Sequence, residues 1–127
     1  CGWCKRMDAT TFQNPAIVNY INEKYYAVKL NAERKDSVLI NNHWFINQNP
    51  TAKRNPHDLA ISLTEGKLTY PSTIFMDENI NMIHPPIAGF LDAETIEPIL
   101  HFFGENIYSN KSAGWEEFKE SFKSKSN

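Results

Sequence analysis

The two cysteines of the chain, Cys1 and Cys4, are separated only by Gly2 and Trp3. A cysteine at the start of a helix is favoured as the thiolate, because backbone N–H groups and the helix dipole stabilise negative charge there. The spacing places the second sulfur about one helical turn away, close enough to resolve a mixed disulfide formed by the first. We therefore predict that Cys1 is a nucleophile and Cys4 its resolving partner. Lys5 and Arg6 are candidate cations beside them, and we predict Lys5 as the electrostatic support.

A metal site is the main alternative chemistry for a Cys-x-x-Cys pair. A structural zinc site needs four ligands, usually with a second close pair of cysteines or histidines. The histidines are instead scattered singly, at His43, His57, His84 and His101. We expect no bound metal, and no other cofactor is required because the sulfur pair itself carries two electrons.

Length and composition indicate a globular chain with one core. Of the 127 residues, 41% are hydrophobic and 22% are charged. The formal net charge of -2 provides no basic field for nucleic acid. No apolar run approaches the roughly 18 residues that cross a bilayer. We expect a monomer that binds no nucleic acid and has no membrane span.

The spacing of apolar residues, caps and turn residues predicts a mixed α/β order of elements. Helices are predicted over 1–13, from Asn14 to about Glu23, over 56–65 and from Asp92 to about Gly104. Strands are predicted over 25–30, 72–76 and 80–84, the last ending at Pro85-Pro86. The order lacks a strand before the first cysteine, and we expect that strand upstream of residue 1.

Two stretches lie outside this regular pattern. Residues from about 33 to 55 are polar apart from a short apolar patch, and we predict an insertion with one short strand. Residues 108–127 form a separate C-terminal segment in which Trp115, Phe118 and Phe122 follow helical spacing. We predict a short amphipathic helix docked on the main domain, residues 1–107, followed by a solvated tail.

A resemblance to a known family comes from two motifs. The cysteine pair followed by Lys5, together with Tyr70-Pro71-Ser72-Thr73 entering a strand, resembles the thioredoxin superfamily. The resemblance implies a thioredoxin-like fold, with a central mixed β-sheet flanked by helices. It also implies that Pro71 is cis and faces the cysteines, that Tyr70 offers its backbone to a client, and that Gly89 lies beside the active surface. Trp3 is expected to be exposed and to stack on the client.

The predicted first helix resembles that of a smaller group within this superfamily, because it breaks and restarts at Asn14-Pro15. This break is similar to that of exported bacterial thioredoxin-like proteins, which implies a periplasmic or otherwise exported location. The two-cysteine composition is equally compatible with the cytoplasm. The resemblance further implies protein thiol and disulfide clients and a separate electron donor.

Redox direction is predicted from the residue between the cysteines. Disulfide isomerases of this family carry Gly-His there, and the histidine favours the thiolate and makes a stronger oxidant, whereas Trp3 adds no charge of its own. We therefore predict a reductant of protein disulfides. The alternative is a peptide-binding or chaperone-like module that uses Tyr70-Pro71 and keeps the cysteines as a structural bridge.

Overall fold

The structure is a computed structural model that describes residues 1–109 and 114–125. The chain divides into two compact units. Unit 1 consists of Cys1–Ala27 and Phe90–Asn127, and unit 2 consists of Val28–Gly89.

Unit 1 begins with a helix that breaks and restarts, as predicted. Helix α1 spans Gly2–Ala9, a 3-10 turn spans Thr11–Gln13, and helix α2 spans Pro15–Lys24. Asn14 causes the restart, because its side-chain oxygen accepts from the N–H groups of Ala16 and Ile17. Pro15 occupies the first helical position, where its missing N–H costs nothing.

The second half of unit 1 contains helix α4 over Ala93–Gly104, a 3-10 turn over Ile107–Ser109 and helix α5 over Trp115–Ser121. Asp92 caps α4 by accepting from the Thr95 N–H at 2.8 Å. The apolar side chains buried in this unit are those of Met7, Ile17, Leu91, Ile96, Leu100, Phe102 and Phe103. The cysteine-bearing helix therefore belongs to a unit whose core comes from both ends of the sequence.

Helix α5 docks on α4 through aromatic side chains. The ring of Phe102 lies 5.3 Å from that of Trp115 and 5.5 Å from that of Phe118. These contacts confirm the predicted docked helix; residues 110–113 of the predicted segment lie outside the described part of the chain.

The tail after α5 is exposed, as predicted, but it is also anchored. Glu97 of α4 is only 2% exposed, and its carboxylate accepts from the Ser124 hydroxyl at 2.5 Å and the Lys125 N–H at 2.8 Å. Ser126 and Asn127, the end of the predicted tail, lie outside the described residues. A buried carboxylate therefore fixes the chain just beyond α5.

Unit 2 contains a hairpin of strands β1, Val38–Ile40, and β2, His43–Phe45. Asn41 and Asn42 form its turn with φ angles of 50° and 66°, the left-handed conformation that two-residue hairpin turns require. The prediction of one short strand in the insertion is therefore wrong, because two strands form. Asparagine tolerates this backbone conformation better than most residues.

The rest of unit 2 consists of helix α3, Asp58–Leu63, and the antiparallel strands β3, Ser72–Thr73, and β4, Ile87–Ala88. Between these strands a bridge pairs Met76 with Met82 around a turn at Asp77. Hydrogen bonds from the backbone N–H groups of the turn, that of Asn81 first, lower the pKa of Asp77. The predicted hairpin is thus present only in part. The strand predicted over 80–84 is wrong, because only the Met76–Met82 bridge lies there, and the partner strand β4 forms beyond Pro85-Pro86.

The predicted strand over 25–30 is wrong. These residues are all described, and they form no strand with any described residue. Tyr26 and Val28 are 102% and 87% exposed, so neither contributes to a buried strand. The described residues thus form a mixture of helices and short antiparallel strands, in two-stranded sheets β1-β2 and β3-β4.

A polar cluster at the end of α4 leads to a first stability prediction. The Glu105 carboxylate accepts from the Tyr20 hydroxyl at 3.0 Å and from His101 Nδ1 at 2.6 Å. Desolvation raises the pKa of Glu105, but the hydrogen bonds from His101 and Tyr20 outweigh it and lower the pKa below its ordinary value of 4.5. The stabilisation is therefore complete above that value and is lost as the pH falls through the folded-state pKa.

We expect Glu105→Gln to lower the free energy of unfolding by about 1 kcal/mol at neutral pH, since the carboxylate is half exposed. Urea unfolding at a series of pH values measures the effect. The difference from the wild type should shrink below a pH of about 4. Glu78→Gln, in an exposed turn, is the matched control. A difference that stays constant down to pH 3 would contradict the role of the carboxylate charge.

Gly104 gives a second prediction, because a Cβ atom there would lie 2.7 Å from the Tyr20 hydroxyl oxygen. The Tyr20 ring cannot easily move, since it stacks on His101 at 3.7 Å and bonds to Glu105. Alanine is ordinarily about 1 kcal/mol better than glycine within a helix. We expect Gly104→Ala instead to destabilise the protein by about 1–3 kcal/mol. In a Tyr20→Ala background the same substitution should become neutral or stabilising in thermal unfolding, and an equal loss in both backgrounds argues against the clash.

Candidate functional site

Cys1 and Cys4 form a disulfide at the start of α1, with their Cα atoms 5.3 Å apart. Cys1 is the N-cap residue of the helix, and its Sγ accepts from the Cys4 N–H at 3.2 Å. Cys1 is exposed, whereas Cys4 is half-buried. When the pair is reduced, this N–H and the positive end of the helix dipole favour the thiolate on Cys1. The more accessible sulfur is thus also the one that the helix activates.

Trp3 lies on the surface beside the disulfide. Its side chain is 56% exposed, and its ring centroid is 5.4 Å from that of Phe90. The Arg6 guanidinium lies over the indole, 5.5 Å from the ring centroid, in a cation–π arrangement. Gly2, Trp3 and Arg6 line a shallow open depression. The surface next to the disulfide therefore combines aromatic faces with one positive charge.

Lys5, the predicted electrostatic support, follows Cys4 on α1. Its backbone N–H donates to the Cys1 carbonyl at 3.2 Å, and its side chain is exposed. Among the described residues Arg6, not Lys5, places its charge over Trp3. The spacing of Trp3 and Arg6, three positions apart on one helix, could have identified this pair from the sequence. Phe90 could not be identified, because its approach to Trp3 depends on the folded unit.

Tyr70, Pro71 and Gly89 lie together in unit 2. The Tyr70-Pro71 peptide bond is cis, as the resemblance implied. The Pro71 carbonyl accepts from the Gly89 N–H at 2.8 Å, which continues the β3-β4 pairing by one residue. Gly89 has a φ angle of 97°, a conformation that favours glycine. The Pro71 carbonyl is thus already paired within the unit.

Tyr70 itself is half-buried. Partial burial, and then the negative charge of Glu33, raise the pKa of its phenol. Both effects favour the protonated phenol.

His57 is a buried histidine of unit 2. It is 0% exposed in unit 2 and caps α3, where Nδ1 accepts from the Leu59 N–H at 3.1 Å. Nε2 is therefore the protonated nitrogen, and it donates to the Asp36 carbonyl at 2.8 Å. His57 is a structural residue that ties the insertion to α3.

Within the described ranges, residues 1–109 and 114–125, no group of three or more His, Cys, Asp or Glu side chains could hold a metal ion. In the same ranges no helix is both long and apolar enough to cross a bilayer. Comparison of the chain with models of known protein families, with curated protein sequences and with solved structures gave no match.

Proposed function

We propose that the protein is a thiol:disulfide oxidoreductase that reduces disulfides in protein clients. The observation that carries this proposal is the position of Cys1, which is exposed, caps α1 and accepts a hydrogen bond from the Cys4 N–H. This arrangement gives the outer sulfur both access and stabilisation as a thiolate. Cys4 is close enough to complete the exchange within the same chain.

In the proposed reaction the Cys1 thiolate attacks one sulfur of a client disulfide. A mixed disulfide forms between Cys1 and the client, and the second client sulfur leaves as a thiolate that takes a proton from solvent. Cys4, after releasing its proton, then attacks Cys1 Sγ and expels the first client sulfur. The client gains two electrons and two protons, and the Cys1–Cys4 disulfide is the oxidised product. A dithiol reductant returns the two electrons, and no bound cofactor takes part.

The fold and location belong to the same proposal. The cysteine pair, the Tyr70-Pro71-Ser72-Thr73 motif and the helix break at Asn14-Pro15 support a thioredoxin-like domain. We extend the resemblance to an exported location and to client contacts by Trp3, Tyr70 and Gly89. Trp3 supports this role most directly, since its indole is exposed beside the disulfide.

The reduction potential tests this function against its alternatives. The protein is equilibrated with glutathione buffers of graded composition, quenched with acid, and the fraction of the Cys1–Cys4 disulfide is measured by mass spectrometry. A reductant is expected between about -300 and -180 mV, because structural disulfides lie below about -300 mV and disulfide isomerase lies near -180 mV. A value below this range would favour the peptide-binding module with a structural bridge. A value above it would overturn the reducing direction.

The same measurement on Arg6→Gln shows how far the charge of Arg6 sets the reduction potential. Trp3 contributes no charge, but the Arg6 guanidinium over its ring brings a cation to the same surface. A cation stabilises the thiolate form and so makes the pair more oxidising. We expect the potential of Arg6→Gln to be lower than that of the wild type, by up to about 30 mV for a tenfold change in equilibrium constant.

A further inference from the structure

We propose that Arg6 and Trp3 select clients that carry an acidic side chain next to the reactive cysteine. This inference rests on the proposed disulfide exchange at Cys1 and adds a substrate class to it. The residues involved all lie in unit 1, on α1 and at Phe90.

The surface beside the disulfide carries positive charge. Arg6 is exposed and takes part in none of the ion pairs within the described part of the chain. Lys5 adds a second exposed positive charge, and the first turn of α1 contains no acidic residue. The acidic residue of α1, Asp8, lies beyond that first turn. Exposed cations attract anionic groups, and this attraction is weakened by salt. A client segment docked at the disulfide therefore meets a positive, not a neutral, field.

The Arg6 guanidinium is placed where it can meet an anion. Its Cζ atom lies 5.5 Å from the centroid of the Trp3 ring, and the side chain is exposed, so its N–H groups are accessible to a ligand. Those N–H groups match the two oxygens of a carboxylate, which they can bind as a bidentate pair. The cation–π contact with the indole restricts the arginine and reduces the side-chain entropy lost when a carboxylate binds. The arginine is thus held in a conformation suited to bind an acidic side chain.

Two aromatic rings lie next to each other at this surface. Trp3 and Phe90 present rings beside the disulfide, and Trp3 is mostly exposed. Such rings bind apolar or aromatic side chains of any sequence. The aromatic pair therefore supplies general affinity for an extended client, whereas Arg6 supplies the discrimination between clients.

The test uses peptides with one cysteine that is joined to 2-thiopyridone as a mixed disulfide. The residue next to the cysteine is Glu, Gln or Lys in otherwise identical peptides. When the Cys1 thiolate attacks the peptide sulfur, pyridine-2-thione is released, and its absorbance gives the second-order rate constant. The neutral reagent 2,2′-dithiodipyridine, which has no peptide, reports the intrinsic reactivity of Cys1.

We expect the wild type to react about threefold to fivefold faster with the Glu peptide than with the Gln peptide, as an exposed ion pair allows. The Lys peptide should be slower still. Arg6→Gln should remove the preference and Arg6→Glu should reverse it. Lys5→Gln, which removes the same charge from the neighbouring position, should keep most of it. The preference should also fall when the salt is raised to about 0.5 M.

Two results overturn the client preference without affecting the proposed function. One is an equal rate with all three peptides. The other is an Arg6→Gln variant that slows 2,2′-dithiodipyridine and every peptide by the same factor, which would make Arg6 a positioning residue for Cys1 alone. Failure of the proposed function gives a different result, in which the peptide stays joined to Cys1 of the wild type because Cys4 does not displace it.

Discussion

Replacement of Cys1 by serine is expected to reduce turnover of a peptide disulfide to the background rate. The expected loss is about three orders of magnitude or more, because the attacking thiolate disappears. Turnover is followed as the appearance of free peptide thiol, with a dithiol reductant present in excess. The N-cap hydrogen bond to Cys4 can be made by a serine oxygen, so α1 should remain folded. Circular dichroism checks that point.

Cys4→Ser is the matched variant. It keeps the Cys1 nucleophile, so the first step should proceed and a mixed disulfide between Cys1 and the peptide should accumulate. Mass spectrometry identifies this adduct by its added peptide mass and by its release with reductant. Faster trapping through Cys4 in Cys1→Ser than through Cys1 in Cys4→Ser is the result that would reverse the two roles. Equal turnover by all three proteins would exclude the exchange mechanism.

His57→Ala is expected to cause the largest loss of stability among the substitutions considered. The side chain is fully buried and joins the Asp36 carbonyl to the Leu59 N–H. Its removal leaves both groups without their partner and deprives α3 of its cap. We expect a loss of about 2–4 kcal/mol in the free energy of unfolding, measured by urea denaturation.

The variant His57→Asn separates the contribution of the helix cap from that of the hydrogen bond to the Asp36 carbonyl. Asparagine is among the best N-cap residues, so it can still accept from the Leu59 N–H. Its shorter side chain cannot also reach the Asp36 carbonyl. We therefore expect it to recover about 1 kcal/mol relative to His57→Ala and to remain less stable than the wild type. Equal stability of the two variants would show that the cap contributes nothing.

The features that the sequence predicted well are local. Asn14 and Asp92 cap their helices, because a short polar side chain before a helix accepts from N–H groups two or three residues later. The docked C-terminal helix follows from the spacing of its aromatic residues. The disulfide between Cys1 and Cys4 also fits a prediction that needed only their separation along one helical turn.

The predictions that were wrong concern interactions between residues far apart in the sequence. Tyr26 and Val28 are strand-forming types, but propensity cannot supply a neighbouring strand, and none of the described residues pairs with them. The insertion looked irregular because it is rich in asparagine. In the structure the buried Asn47 donates to the carbonyls of Arg34 and Asn55 and orders this segment. No periodic pattern signals such a polar centre.

In the candidate site, too, some features follow from local sequence and one depends on residues far apart in the sequence. The positions of Cys1 and Cys4 on α1 needed only local signals, and so did the exposure of Trp3 between them. Phe90 reaches Trp3 only after the two ends of unit 1 have come together. Such contacts depend on closing a long stretch of chain, which the local spacing of residues does not describe.

The discontinuity of unit 1 has a consequence for synthesis. The ribosome releases α1 and α2 first, then all of unit 2, and only afterwards α4, whose side chains complete the core of unit 1. A short helix is marginal in water until it packs against a partner. The nascent chain therefore carries its two thiols before the helix that distinguishes them is stable. Because the cysteines are so close in sequence, their disulfide can form at that stage. The difference in reactivity between them requires a formed α1, because Cys1 is the N-cap residue only in the helix.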